Sequence, residues 1–428
     1  MIGNRIHKLA KKLWPINRSI TGSGVVETLN ILKTVVPELK IKSFKSGSKV
    51  FDWKIPAEWE IKSAWVKDPT GKTIIDFSKN NLHLVGYSAP INKTIKLEKL
   101  NRHLHSIKEQ PNAIPYVTSY YEKNWGFCLK HSIRKKLKKG NYRVFIDSKF
   151  KKNGKLSYGE ILIPGKSKKE IFLSTYICHP SMANNELSGP CVVIYLAKWI
   201  KNLKNRRYSY RIVLVPETIG SIAYLSKNYK VMKKKIIAGY NICCIGDERN
   251  YSYLPSRNSN TLSDFAAKHV LKWKVKKFKT YTWLDRGSDE RQYCAPGIDL
   301  PVASVMRTKY LEYPEYHTSL DNLKKVVTPK GLNGGFNILK EILIVLEQNI
   351  IPKYTILCEP QLSKRNLYSK ISKKNLKSKN SYMILHLLSL SDGKTSLIEI
   401  AEKCSMPLWK INNIITKLLK HKLIEIKY

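Results

Sequence analysis

The chain has 428 residues, 43% hydrophobic and 10% aromatic, which is enough apolar mass for packed domains and excludes a globally disordered protein. Its formal net charge is +45, but the lysines are spread along the whole length, with modest clusters at 134–139 and 233–235. Such dispersion reads as a solvated surface rather than a dedicated polyanion-binding arm, although nonspecific binding to polyanions at low salt is expected. The eight cysteines form no CxxC pair and several lie in apolar runs, which excludes a disulfide framework and points to a reducing, cytoplasmic setting. The first residues lack the apolar core of a signal peptide, and the apolar stretch 336–351 is interrupted by Lys340, Glu341 and Glu347, so no membrane span is expected.

Along the chain, residues 5–37 carry apolar side chains at helical spacing, broken at Trp14-Pro15 and between Thr21 and Gly24. This predicts two helices, the second over 25–36 with Thr21 or Ser23 as its cap. From 41 to about 147, short alternating runs bounded by Pro, Gly and Asn predict β-rich structure. Residues 157–350 then alternate strand-like runs at 170–175, 210–215 and 237–242 with helical patterns such as 192–203. The fold class expected is therefore α/β, a mixed sheet covered by helices, formed by 1–40 and 141–355 with a β-rich insertion at 41–140. A basic, Ser- and Asn-rich linker follows over 362–379. Helical runs at 382–390, 396–403 and 408–420, then a strand-like end at 423–426, predict a winged helix-turn-helix over 375–428. The 408–420 run sets Lys410, Asn412, Asn413, Thr416, Lys417 and Lys420 on its polar face, which suits a DNA partner. Winged helices serve equally as protein-docking modules.

Functional residues of an α/β sheet gather beyond the carboxyl ends of its strands. The first strand runs into His179, Asn185 and Glu186; the second ends at Glu217-Thr218; the third ends at Asp247. A later loop carries Asp289, and Tyr316-His317 with Asp321 follow a last strand over 302–307. Imidazole with carboxylate suits zinc, which keeps an open position when catalytic. Singly, each residue has a structural reading: a core histidine, a helix-capping Asp289 or Asp321, a loop carboxylate at Glu217. Their joint placement after successive strands favours a site.

That order resembles the di-zinc aminopeptidase clan, which sets a His after one strand, then Asp-Asn-x-Ser-Gly, a Glu-Glu pair, a third acid and a late Tyr-His-Thr. The motifs Trp14-Pro15-Ile16-Asn17-Arg18-Ser19-Ile20-Thr21-Gly22, Ile114-Pro115-Tyr116-Val117-Thr118-Ser119-Tyr120-Tyr121, Trp125-Gly126-Phe127-Cys128 and the segment 178–189 resemble more closely a bacterial group of aminopeptidase-like proteins. In that group the peptidase-like domain holds an inserted β-rich domain and is followed by a winged helix. The resemblance implies that His179 and His317 are metal ligands, that Glu217 is the general base and that Asp247 matches the third acid. Three positions depart from the clan: Asn185 replaces the bridging Asp with Glu186 beside it, Thr218 replaces the second Glu, and Ser181 replaces the Asp that orients the first His. These departures lead to the expectation of one zinc ion, with two, the clan's number, as the alternative, held by His179, by Glu186 or Asp247, and by His317. Asn185, Asp289, Tyr121 and Tyr316 are the expected substrate contacts. The function implied is hydrolysis of a small peptide or amide, with surface-polysaccharide biosynthesis as its setting, by a homo-oligomer. The alternative, raised by the missing acids, is a non-catalytic ligand-binding or regulatory protein whose winged helix binds DNA or a protein.

Overall fold

The computed structural model describes residues 1–367 and 379–427, so most of the expected linker at 362–379 lies outside the described residues. The chain divides into two compact units, residues 1–263 with 278–337, and residues 264–277 with 338–428.

In the first unit, helix α1 (Ile2–Leu13) buries Ile6, Leu9, Ala10 and Leu13, the stripe that its helical spacing demands. Helix α2 (Ser23–Lys33) starts at the Gly22 cap, without a side-chain cap from Ser23 or Thr21. Gly22 has a φ of 98°, and a side chain on it would meet the Trp59 carbonyl at 2.5 Å. The Thr21 hydroxyl is used elsewhere: it accepts from the Trp59 N–H at 3.0 Å and bonds the Tyr87 hydroxyl. The Trp14–Gly22 motif thereby ties the helices to the β-rich segment.

Strand β1 (Lys40–Lys45) belongs to the main sheet, where it pairs with a strand that comes more than a hundred residues later. Between them, β2 (Glu58–Lys67), β3 (Thr73–Asp76), β4 (Ile91–Lys96) and β5 (Asn141–Lys151) form an antiparallel sheet of order β3-β2-β5-β4. Sheet membership thus sets the inserted strands between Glu58 and Lys151, inside and beyond the expected 41–140. The main sheet continues with β6 (Lys155–Ile163), β7 (Glu170–Tyr176), β8 (Ser209–Val215), β9 (Ile236–Asn241), β10 (Ser252–Leu254), β11 (Lys279–Thr280) and β12 (Val302–Met306). Its order is β1-β6-β8-β7-β9-β12-β10-β11, with β8, β7, β9 and β12 parallel and both flanks carrying antiparallel pairs. Every residue of β7 is buried, as a strand covered on both faces requires. Helix α3 (Ser188–Asn202) links β7 to β8, and α4 (Ile219–Lys235) links β8 to β9.

The second unit contains α5 (Lys379–Ser389), α6 (Leu397–Lys403) and α7 (Leu408–Lys420), with β13 (Ile351–Tyr354) antiparallel to β14 (Ile424–Lys427), the arrangement of a winged helix. Helix α7 buries Leu408, Ile411, Ile415 and Leu418 and leaves Lys410, Asn413, Thr416, Lys417 and Lys420 outward. Ser396 and Glu399 form a reciprocal capping box at the start of α6. Ser396→Ala is expected to cost about 1 kcal/mol locally, visible as several-fold faster amide exchange across α6. The 336–351 stretch falls largely in the helix Pro329–Gln348. No helix of the described residues is long and apolar enough to cross a membrane.

Candidate metal centre and cleft

Strand β7 has parallel neighbours on both sides, reached by connections that leave in opposite directions. A crevice opens at such a switch point, beyond the carboxyl ends of the strands. Register places Tyr176 opposite Val215, so His179 and Glu217 leave adjacent strands at almost the same height. Ser181, Thr218, Cys244 and His317, in the loops after β7, β8, β9 and β12, all adopt left-handed backbone with φ of 44°, 63°, 47° and 54°. Non-glycine residues hold that conformation at a cost of about 1–3 kcal/mol each, and they concentrate where geometry serves a site.

The His179 imidazole is buried between two carboxylates. Its Nδ1 lies 2.9 Å from Glu186 Oε2, which also accepts the His179 backbone N–H at 3.0 Å. A carboxylate only accepts, so Nδ1 carries the proton and Nε2 points to the cleft. There Nε2 stands 3.5 Å from Glu217 Oε2, while Ser288 donates to Glu217 Oε1 at 2.8 Å. Burial alone would pull the His179 pKa down, but the carboxylates of Glu186 and Glu217 hold it well above the ordinary range. Burial also raises the pKa of Glu217, against the opposing pull of His179 and Ser288. The Cys178 thiol, pushed up to about 11 mainly by burial, stays protonated and accepts the Glu217 N–H at 3.2 Å.

Glu186 reaches back because residues Ala183–Leu187 form a π-helical turn, closed by the Leu187 N–H on the Met182 carbonyl at 3.4 Å. Asp321 fixes the start of that turn, accepting from the Asn184 and Asn185 N–H groups at 2.7 and 2.9 Å and from the Tyr313 hydroxyl at 3.1 Å. Behind Glu186 lies buried Arg18, 3.5 Å from Oε1, which donates to the His179 carbonyl at 3.1 Å and the Leu13 carbonyl at 2.8 Å. Among the described residues, Cys178, His179 and Glu186 are the three whose ligand atoms all lie within 4.8 Å of one another. That trio uses the Nδ1 side of His179 and faces a guanidinium, so its geometry orients the imidazole rather than caging a cation.

The other expected residues take varied places. His317 lies with its ring 5.7 Å from that of His179, stacked on Tyr316 at 3.9 Å, with Tyr116 edge-on to both histidines. Burial, then His179, lower its pKa to about 3, which leaves it a neutral imidazole. The Tyr116 N–H donates to the His317 carbonyl at 2.9 Å, so the returning 114–121 segment holds this loop. Asn185 Oδ1 accepts from the Tyr176 hydroxyl at 2.9 Å, and its buried Nδ2 has no partner. The Asp247 carboxylate is filled by four donors, Asn184 Nδ2, the Thr308 N–H and hydroxyl, and the Arg249 N–H. Expected as a ligand, it instead fastens three loops together. Asp289, expected at the substrate, is fully buried and accepts from the Thr218 N–H and the Ser221 hydroxyl, both at 2.8 Å, bracing the start of α4. Arg18, Ser288 and Tyr116 escaped the sequence reading of the site, although Arg18 and Tyr116 sit inside its quoted motifs.

Burial, then repulsion from Glu217, raise the Asp289 pKa to about 8. An unfolded Asp titrates near about 3.9, so the folded state binds the extra proton between those values. Stability then falls as pH rises from about 4 through about 8. Asp289→Asn keeps both accepted bonds and is expected to flatten the thermal-stability profile between pH 6 and 8. Equal slopes for wild type and variant would show an ionised Asp289.

A cleft of about 270 Å³ adjoins His179, Cys178 and Glu217, walled by Ile20, Trp53, Tyr120, Tyr121 and Ile219. A family model described as a domain of unknown function (DUF4910) matches residues 7–349. The chain belongs to the DUF4910 family. A winged helix-turn-helix model matches residues 350–426, the C-terminal part of this family member. A Clostridium acetobutylicum relative, provisionally named a polysaccharide biosynthesis protein with an aminopeptidase-like domain, is 40% identical over 99% of this chain and 96% of its own. A crystal structure from that organism, provisionally named a peptidase, matches with a TM-score of 0.92 at 39% identity, covering 100% of this chain and 97% of that one. A zinc aminopeptidase from Bacillus subtilis matches with a TM-score of 0.59 at 11% identity, over 80% of this chain and 94% of the other. This DUF4910 member therefore has the zinc-aminopeptidase fold with a C-terminal winged helix.

Proposed function

We propose that the chain is a metal-dependent amide hydrolase, acting on a small substrate through one divalent ion. The observation that carries this reading is the approach of His179 Nε2 to Glu217 Oε2 at 3.5 Å beside neutral His317, at the floor of a cleft. The donor set fits one zinc ion: the His179 imidazole, whose Nδ1 proton is held by Glu186 so that Nε2 is the nitrogen that would give up its proton to a metal, the unprotonated His317, and a carboxylate alongside. His179 and His317 would hold it. The second site of the aminopeptidase clan is not supported, because Asn185 and Thr218 stand at two of its carboxylate positions and Asp247 is occupied by protein donors. When bound, zinc supplies Lewis acidity that polarises a carbonyl and lowers the pKa of water. Glu217, anchored by Ser288 through Oε1, receives the proton of the attacking water on Oε2 and passes it to the leaving nitrogen; its raised pKa suits both acts. Glu186 and Arg18 keep the imidazole in place, and Tyr116 packs against both histidines.

In this reading, the hydrolase body expected at 1–40 with 141–355 also takes in β1 and gives up β5 to the insertion beside the cleft and β13 to the winged helix, and the module expected at 375–428 docks DNA or protein. The name of the Clostridium relative supports a setting in polysaccharide biosynthesis. Elemental analysis of zinc-replete protein should find one ion per chain, with metal-dependent cleavage of aminoacyl-arylamides or N-acyl amino sugars. Absence of metal, with cleavage no faster than in Glu217→Gln, rejects the hydrolase.

A further inference from the structure

We infer that the cleft takes its amide substrate by an uncharged, apolar acyl group laid against Trp53 and Tyr121, and does not select a free α-amine. The inference deepens the hydrolase reading and rests on it for the position of the scissile bond.

Trp53 belongs to a short hairpin, Lys49–Val50 with Trp53–Lys54, and Tyr121 to the segment returning past His317. The two rings meet edge to face at 5.7 Å, yet Trp53 is 39% and Tyr121 53% exposed. Aromatic rings left open beside a cleft are available contact surface. Tyr121 is also held in left-handed backbone, with φ of 68°, a conformation that bulky residues rarely keep without a reason. Ile20, Tyr120 and Ile219 complete a lining that buries apolar groups.

A substrate ammonium needs a carboxylate partner in the cleft, and among the described lining residues Glu217 is the carboxylate present. The neighbouring acids Asp247, Asp289, Glu290 and Asp321 are at most 1% exposed and bonded to protein donors. Glu186 is behind His179 with Arg18. At the cleft edge, Arg291 donates to the Thr218 hydroxyl at 3.0 Å, and its positive charge opposes an ammonium. An amine held by Glu217 would also occupy the group that must accept the water proton. In the reaction that fits, water oxygen bonds to the acyl carbon and the carbon–nitrogen bond breaks. Glu217 carries the water proton to the nitrogen, so a blocked acid and an amine leave.

The test is a matched pair on the zinc-loaded full chain by calorimetry: N-acetyl-phenylalaninamide against phenylalaninamide. The blocked amide should bind at least about tenfold more tightly, and Trp53→Ala or Tyr121→Ala should weaken it by roughly tenfold at unchanged zinc content. Tighter binding of the free amine, binding of neither, or indifference to both substitutions overturns the inference. The corresponding nitroanilides separate it from the hydrolase reading. Cleavage of the free amine alone keeps the hydrolase and rejects the inference. Preferential binding of the blocked amide with no cleavage rejects the hydrolase and keeps the subsite.

Discussion

Glu217→Gln is expected to lower amide hydrolysis by about 10²- to 10⁴-fold while leaving the bound metal in place. The amide side chain can still meet Ser288, which bonds Oε1 at 2.8 Å, so the loop after β8 keeps its shape. What is lost is the acceptor at Oε2, the atom nearest His179 Nε2. Activity assays and elemental analysis on the same preparation distinguish the roles. Activity lost with zinc retained makes Glu217 the base. Loss of both makes it a ligand, and loss of neither removes it from the chemistry.

Arg18→Met is expected to destabilise the first unit by about 3–5 kcal/mol, the range for leaving one buried charge of a pair without its partner. Arg18 is 1% exposed and Glu186 fully buried, so solvent cannot replace the guanidinium. The substitution also removes donors from the Leu13 and His179 carbonyls. Urea unfolding measures it. A loss below about 1 kcal/mol would resemble an exposed pair and would mean that protonated His179 alone neutralises Glu186. Glu186→Gln, which retains an oxygen acceptor, should affect stability less and metal affinity more, since its carboxylate fixes the imidazole tautomer.

Much of the fold is legible from local pattern. The runs 170–175 and 210–215 became β7 and β8 within a residue or two, and the 408–420 period became Leu408–Lys420. Apolar periodicity reports burial directly, and the apolar run of β8 stops at Val215, just ahead of Pro216 and Glu217. The cap of α2 was misread because Thr21 is drawn to Trp59 and Tyr87, partners 38 and 66 residues away, which no local rule contains. Arg18 has the same explanation, with its partner His179 161 residues distant.

At the candidate site, the residue types that follow β7, β8 and β12 are legible in the sequence: His179, Glu217 and His317. They are legible because the crevice of an α/β sheet lies beyond the carboxyl ends of its strands, and these residues follow strand-like runs. Only the tertiary structure decided which way the nearby acids face. The π-helical turn carries an extra residue, and one residue rotates a helical side chain by about 100°, enough to bring Glu186 behind the imidazole instead of into the cleft. Asp247 was decided likewise, by the meeting of three loops whose N–H and hydroxyl donors fill its carboxylate.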